Sequence, residues 1–362
     1  MPGGVSAYAA VSARVRVKYS RLAGAPGIRA LSDAADLTAF TEILRHTSYG
    51  PAIEDLKDRQ PGPSMVAQAL RGWQAAEARS LISAAPGTGR RILLRLHRRQ
   101  EVNNLKAVLR GVAAGAEPDA GASLWERIRL LLSPDAPSLG LPYERIVEAG
   151  TVAGAIELVR GTAYYDVLSS ALKRYSTEQS LFALEVALDL DYWRRLWQEA
   201  RKLAGEDQAQ ALRVISSLVD ANNVMWAVRY RVYKHLSEEE LINYTLPFGW
   251  RVQDEHIRAI AAGGDIGSII GRIYPEIENL GGFLDENYSG LPRLEVELKR
   301  TVARRCMGAF LGNPFHVGLP LAYLVMQDLE IQDLIVLLEA KSTQVAAEEY
   351  GPFMLNMAGI PA

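Results

Sequence analysis

The stretch Glu101–Arg110, EVNNLKAVLR, decides the fold of this chain, because two later stretches repeat its pattern. Asp220–Arg229, DANNVMWAVR, begins 119 residues further on, and Glu330–Glu339, EIQDLIVLLE, begins 110 residues after that. Each stretch starts with an acid, places amide or acidic residues two and three positions later, and continues with apolar residues at matching positions. A repeat of such a long period predicts several copies of one structural unit.

A second marker precedes each copy of the repeat. Helical runs lead into Tyr49, Tyr164 and Tyr274, and these tyrosines are 115 and 110 residues apart. Because two markers keep nearly the same spacing, we predict three similar helical units; chance resemblance between amphipathic helices is the alternative. The predicted units, divided at loops rich in proline and glycine, are 1–135, 136–248 and 249–362.

The composition is that of an ordinary globular protein. Apolar residues make up 49% of the 362 residues and charged residues 23%. The chain has a net charge of -2 and therefore lacks the positive electrostatic field that attracts nucleic acid, so we predict no nucleic-acid partner. Cys306 is the only cysteine, which excludes a disulfide within the chain. No stretch approaches about 18 uninterrupted apolar residues, so we predict no transmembrane segment.

Helical patterns dominate the chain and predict an all-α fold. Ser32–Arg45 carries apolar residues at helical spacing, with Ser32 or Asp33 as the predicted N-cap. Ala13–Tyr19 alternates apolar and basic residues as a strand does, but helical sequence flanks it and we predict a helix there.

Several short motifs are similar to catalytic or binding motifs without completing them. Ala85–Arg90 resembles a nucleotide-binding P-loop, but it lacks the leading glycine and the lysine, so we predict no nucleotide binding. Ser170 and Lys173 have the spacing of a serine nucleophile and its lysine, without the companion motifs. The five histidines stand singly, and we predict no metal site, cofactor or catalytic residues; they are His46, His97, His235, His256 and His316. An enzyme that uses either the Ser170 and Lys173 pair or the glycine loop at Pro86–Arg90 is a further hypothesis.

The polar positions of the repeat are the candidate site residues, with a structural or an interface role. If each of the three acids lies near a helix start, the helix dipole stabilises it there, and the amides can bond free backbone groups. Alternatively, the three polar clusters line a shared surface that faces a partner. The candidate residues are Glu101, Asn103, Asn104, Asp220, Asn222, Asn223, Glu330, Gln332 and Asp333.

The motifs and their order resemble one known family, the C subunit of the archaeal and bacterial V-type (A-type) ATPase/ATP synthase, equivalent to the d subunit of the eukaryotic vacuolar enzyme. The resemblance spans nearly the whole chain. Its segments are Tyr8–Ala23, Glu101–Arg110, Asp220–Asn223, Asn313–Gly318, Leu321–Leu324 and Leu329–Leu334. Two features depart from the family pattern: the glycine-rich and proline-rich loops, and Glu339, where the other repeats end in Arg110 and Arg229.

This resemblance implies three similar helical domains around a pseudo-threefold axis, forming a funnel. It also implies a non-catalytic rotor subunit in the central stalk, on the cytoplasmic side and peripheral to the membrane. The implied partners are the central shaft subunits of the D and F type and the membrane rotor ring. Without the family match, the same repeats fit a helical scaffold that binds an unrelated protein, which we expect to be an open solenoid.

Overall fold

The computed structural model describes residues 3–56, 61–115, 123–134, 140–234, 236–284 and 288–355. All regular elements in these ranges are helical, so the predicted all-α fold is confirmed. The α-helices are α1 Gly3–Tyr19, α2 Gly24–Ser32, α3 Leu37–Arg45, α4 Gly50–Ile53, α5 Pro63–Ala84, α6 Gly87–His97, α7 Arg99–Ala114, α8 Leu124–Arg129, α9 Tyr143–Val147, α10 Val152–Glu157, α11 Tyr165–Glu178, α12 Phe182–Arg201, α13 Gly205–Arg229, α14 Glu238–Asn243, α15 Asp254–Ala261, α16 Ile266–Ile273, α17 Leu280–Phe283, α18 Leu291–Met307, α19 Gly318–Thr343 and α20 Ala347–Tyr350. Short 3₁₀ turns at Glu54–Leu56, Gly308–Phe310 and Gly351–Phe353 and a π-turn at Tyr230–Lys234 complete the set.

The start of the chain folds as helices, with one cap different from the prediction. α1 contains all of Ala13–Tyr19, which confirms the helix predicted there. The predicted cap at Ser32 or Asp33 is wrong, because Ser32 is the last residue of α2 and Asp33 follows it in helical conformation. Asp36 caps α3 instead, and its side chain accepts a hydrogen bond of 2.8 Å from the backbone N–H of Ala39.

The three repeat stretches lie on the long inner helices of the fold. The first is on α7, which continues α6 after a joint at Arg98; the second is on α13 and the third on α19. Each of these has another long helix among its packing partners: α12 packs against α6 and α7, α18 against α13, and α5 against α19. The three repeats therefore share the same helix-pair packing.

The two ends of the chain share a core of their own. Apolar residues of α2 to α5, such as Phe40 and Leu44, form one buried cluster with Leu334 and Leu338 of α19. A second cluster contains α1, the second half of α5, the elements from α6 to α18 and the first half of α19. Burial of apolar surface is the main force that holds helices together, so the first and last parts of the chain are joined by their packing. The predicted unit boundary at 135/136 lies outside the described residues.

Candidate functional site

The three repeat acids are buried and bonded to backbone N–H groups or tyrosines. Glu330, which is 3% exposed, accepts hydrogen bonds of 2.8 Å from the N–H groups of Ala23 and Gly24. Asp220, which is fully buried, accepts bonds of 2.8 and 2.7 Å from the N–H groups of Trp250 and Arg251. Burial raises the pKa of both carboxyls, and these hydrogen bonds oppose the rise. The acids thus hold distant loops against the long helices.

Their position differs from the predicted helix starts in two cases. Glu101 lies in the first turn of α7, as expected. Asp220 and Glu330 lie in the middle of α13 and α19, so the dipole argument is wrong for them. Donors from loops far away in the sequence stabilise these carboxylates instead.

The tyrosine marker of each repeat lies at the acid of a different repeat. The hydroxyl of Tyr164 donates to Glu101 at 3.0 Å, and the hydroxyl of Tyr49 donates to Glu330 at 2.5 Å. Burial and then the charge of Asp220 raise the pKa of the third tyrosine, Tyr274. Glu101 of the first repeat thus lies near Tyr164, the tyrosine that precedes the second repeat. Asp220 of the second repeat lies near Tyr274, which precedes the third repeat, and Glu330 of the third repeat lies near Tyr49, which precedes the first.

The residue three positions after each acid clamps a backbone segment. Asn104 donates to the carbonyl of Ser133 at 3.0 Å and accepts from its N–H at 2.7 Å. Asn223 makes the same two bonds with Leu246, both at 2.9 Å. A side-chain amide carries both a donor and an acceptor, so it can bond the carbonyl and the N–H of the same residue, as a neighbouring β-strand would.

The third repeat builds this clamp from two side chains. Asp333 accepts from the N–H of Leu355 at 2.8 Å, but a carboxylate has no N–H to donate to the carbonyl. Arg300 on α18 supplies that donor and bonds the carbonyl oxygens of Leu355 and Met354 at 3.3 and 2.6 Å. The clamp geometry is therefore kept although the residue type changes.

The remaining candidates line one interhelical cavity. Asn103, Asn222 and Gln332, each two positions after its acid, all contribute to the wall of a cavity of about 320 Å³ between the long helices. Asn103 is exposed, and the other two are half-buried. The structure thus brings the three equivalent positions together at one concave surface, on the side of the helices away from the buried acids.

Charged side chains and amides connect the wall of the interhelical cavity. Glu295 pairs with Arg229 at 2.5 Å and with Lys299 at 2.8 Å. Lys299 also donates to Gln332 at 2.9 Å, and Gln332 donates to Asp328 at 2.8 Å. Aromatic rings complete the wall, since Trp193 and Trp226 line it as well. The surface offered to an occupant is therefore mixed, with amides and charges between aromatic faces.

The third repeat ends in the acid Glu339, whereas the first two end in arginine. The charge on the helix that packs against it is reversed as well. Arg110 donates to Glu185 from its Nε and Nη2 at 2.6 and 3.0 Å, and Arg229 donates to Glu295. In the third helix pair, Arg71 on α5 stands 114 residues before Glu185, close to the spacing of the repeat. Burial lowers the pKa of Arg71, and the charges of Glu339 and Asp328 oppose that shift. Opposite charges therefore face each other in all three pairs.

The motifs that resembled catalytic sites have structural surroundings. Ala85 and Pro86 join α5 to α6, and Gly87–Arg90 form the first turn of α6, so a helix and not a strand precedes this stretch. Ser170 donates to the backbone carbonyl of Asp166 within α11. Cys306 is buried, and this burial raises the pKa of its thiol to about 12. His235 lies outside the described residues.

Membrane spans and metal sites each have structural requirements that the described part of the chain does not meet. None of its helices combines the length and apolar character needed to cross a bilayer. None of its groups of histidine, cysteine, aspartate and glutamate has the arrangement of a metal site.

Sequence reasoning did not find the partners of the clamps. Ser133, Leu246 and Leu355 give only backbone atoms, which leave no residue-type signal. Arg300 was missed as well, although its signal was the aspartate that replaces asparagine in the third repeat.

Comparison with known proteins identifies the family of this chain. The sequence profile of the ATP synthase (C/AC39) subunit family matches residues 11–351. The chain is similar to the C subunit of the A-type ATP synthase of Methanocaldococcus jannaschii, at 22% identity over 97% of this chain and 86% of that protein. It is also similar to the C subunit of the A-type ATP synthase of Archaeoglobus fulgidus, at 24% identity over 96% of each chain. The profile covers nearly all of the repeats and clamps described above, and the chain therefore belongs to the ATP synthase (C/AC39) subunit family.

Proposed function

We propose that this chain, a non-catalytic subunit of an A/V-type ATP synthase complex, is the socket of its central stalk. In this proposal the interhelical cavity seats the end of the central shaft, formed by subunits of the D and F type. The opposite side rests on the membrane rotor ring, at the cytoplasmic side of the membrane. Rotation then passes between the ring and the catalytic head through this subunit.

The observation that carries the proposal is the meeting of Asn103, Asn222 and Gln332 at one cavity. Equivalent positions of three repeats converge on one surface when the repeats are arranged around an axis. We infer a pseudo-threefold funnel built from the units 1–135, 136–248 and 249–362, with the cavity on its axis. The cyclic order of the tyrosine and acid contacts supports this arrangement.

The size of the interhelical cavity sets what it holds. A helix with its side chains is about 10 Å wide, so its cross-section is roughly 80 Å². A volume of about 320 Å³ then corresponds to a depth of only about 4 Å, or two to three residues of helix rise. The cavity therefore suits the tip of a helix and a few of its side chains.

The buried clamps suit a part that transmits torque. Packed protein interiors resist deformation, and a buried carboxylate held by several donors is costly to displace. Glu330 and Tyr49 connect the last long helix to the start of the chain, so load on any long helix is shared with the others. The mixed wall of the cavity also avoids a large exposed apolar patch before assembly.

Binding measurements with a filled cavity test the socket. Asn222→Trp places a large side chain in the cavity, and we expect it to reduce binding of the purified shaft subunits at least tenfold. Ala209→Trp is the matched control, because Ala209 is exposed on the same helix and does not line the cavity. The unaltered chain should also bind the detergent-solubilised rotor ring. Absence of binding to either partner, or equal shaft binding by both variants, would contradict the proposal.

The alternative of a scaffold for an unrelated protein requires an open solenoid. Contacts between the chain ends argue against that shape, because Ser32 and Tyr350 bond at 2.7 Å and α2 and α3 pack on α19. Small-angle scattering tests this point directly. We expect the radius of gyration of a compact domain of this length, about 20 Å.

A further inference from the structure

Two arginines meet outside the interhelical cavity without an acidic partner. Arg213 on α13 and Arg305 on α18 are half-buried, and the Nε of Arg305 donates to the backbone carbonyl of Arg213 at 3.3 Å. The Nε of Arg213 is buried without a hydrogen-bond partner. Among the residues that the structure describes, neither guanidinium takes part in an ion pair. Two positive charges are thus held together in a partly desolvated place.

The surrounding side chains fix this arrangement. The guanidinium of Arg305 stacks on the ring of Trp250, with 3.7 Å between its carbon and the ring centre. Arg251 lies 4.4 Å from the same ring, but Glu276 pairs with it at 2.6 Å. Burial lowers the pKa of Arg305, and the charges of Arg213 and Arg251 lower it further. The stacking on Trp250 fixes the guanidinium of Arg305, and its hydrogen bond to the carbonyl of Arg213 keeps it beside that residue despite the repulsion.

Two acids in this part of the fold are bonded to other groups. Both oxygens of Asp220 accept backbone N–H groups, as described above. Asp207, at the start of α13, accepts the hydroxyl of Tyr8 at 2.7 Å and the N–H of Val317 at 2.8 Å. Neither carboxylate hydrogen-bonds Arg213 or Arg305.

The preceding repeat provides an internal comparison. Arg195 stands 110 residues before Arg305, which is the spacing of the repeat, and it likewise has an arginine near it, Arg95. Asp191 neutralises Arg195 at 2.7 Å from one helical turn earlier. The corresponding position before Arg305 is Thr301. The acid that compensates this arrangement in one repeat is therefore missing in the next.

A glycine leaves room for the guanidinium of Arg213. A Cβ atom at Gly308 would lie 2.0 Å from the Nη2 of Arg213, so a larger residue there would displace that group. The guanidinium consequently packs directly against the backbone at the end of α18.

We propose that Arg213 and Arg305 form a binding site for a phosphate-type oxyanion. Guanidinium groups match phosphate oxygens in a fork geometry, and two of them favour a dianion over a single carboxylate. The phosphate comes either from a free phosphate ion or from the headgroup of an anionic phospholipid. The site is separate from the interhelical cavity, since neither arginine lines that cavity.

The first experiment is titration calorimetry of the full chain with inorganic phosphate at low ionic strength. We expect millimolar or tighter binding that Arg305→Gln and Arg213→Gln each weaken at least tenfold. Arg195→Gln is the matched control and should leave phosphate binding unchanged. Thr301→Asp restores the missing acid beside Arg305 and should also weaken phosphate binding at least tenfold. Circular dichroism of each variant checks that it is folded.

The second experiment identifies the source of the phosphate. Co-sedimentation uses phosphatidylcholine vesicles with and without phosphatidylglycerol. Binding to the anionic vesicles that Arg305→Gln abolishes assigns a lipid headgroup, and calorimetric binding without vesicle binding assigns the free ion. The proposal is overturned if the chain binds neither probe, or if Arg305→Gln and Arg195→Gln bind both equally.

Discussion

Removing the hydroxyl of Tyr49 tests whether a charged clamp joins the two ends of the chain. Tyr49 is fully buried, and its hydroxyl is 2.5 Å from the carboxylate of Glu330. Tyr49→Phe deletes this donor and leaves Glu330 with the two backbone N–H groups of Ala23 and Gly24. A hydrogen bond to a charged group contributes about 1.5–3 kcal/mol, so we expect the variant to lose about 2 kcal/mol of unfolding free energy.

Tyr350→Phe is the matched control for this substitution. The hydroxyl of Tyr350 is buried and bonds Ser32 at 2.7 Å, which joins the same two parts of the chain through neutral groups. A neutral hydrogen bond contributes about 1 kcal/mol, so this variant should lose half as much. Urea unfolding followed by tryptophan fluorescence measures both, since the ring of Trp73 is 4.7 Å from that of Tyr49.

The pH dependence separates the two variants further. The pKa of Glu330 is raised by burial, and the bond from Tyr49 opposes that rise, so Tyr49→Phe should raise it more. A carboxyl with a raised folded-state pKa costs stability when ionised, and this cost disappears as the pH falls through that pKa. The deficit of Tyr49→Phe should therefore shrink in acid, whereas that of Tyr350→Phe should stay constant. Equal losses at neutral pH, or a Tyr49→Phe deficit independent of pH, would refute the charged clamp.

Three further substitutions test separate parts of the structure. Gly249→Ala adds a Cβ that would lie 2.2 Å from the buried acid of the second repeat, and we expect a loss of about 1–3 kcal/mol by urea unfolding, against little change for Gly87→Ala, which has open space around it. Arg71→Glu places like charges beside Glu339 and should cost about 1 kcal/mol, most of which Arg71→Glu with Glu339→Arg should recover; no recovery would mean that the two side chains do not interact. The folded-state pKa of His97 is lowered to about 4 by burial and then by the charge of Arg79, so its neutral form contributes stability that is complete above about pH 6.5 and lost between there and pH 4. His97→Gln should remove about 3 kcal/mol of that acid sensitivity, and unfolding curves at pH 7 and pH 4 measure the difference.

The helical class could be predicted from the sequence because apolar spacing, which is a local pattern, identifies a helix. The shared spacing of acids and tyrosines predicts copies of one unit, and that division into units stays a prediction of the sequence. The sequence did not predict that Tyr49 bonds Glu330, 281 residues away, because no local pattern around either residue indicates its partner. The helix-start prediction for Asp220 and Glu330 failed for the same reason: an acid pattern does not reveal whether its donors are local or distant.

The third repeat explains why matching residues alone would mislead a search for the site. Asp333 stands where Asn104 and Asn223 stand, yet the structure keeps the clamp because Arg300 donates to the carbonyl of Leu355, which a carboxylate cannot bond. The reversed pair of Arg71 and Glu339 follows the same principle, with the charges exchanged between the two helices. What is kept in every repeat is a buried bond between a long helix and a distant segment. Such bonds constrain the shape of the chain more than its residue types.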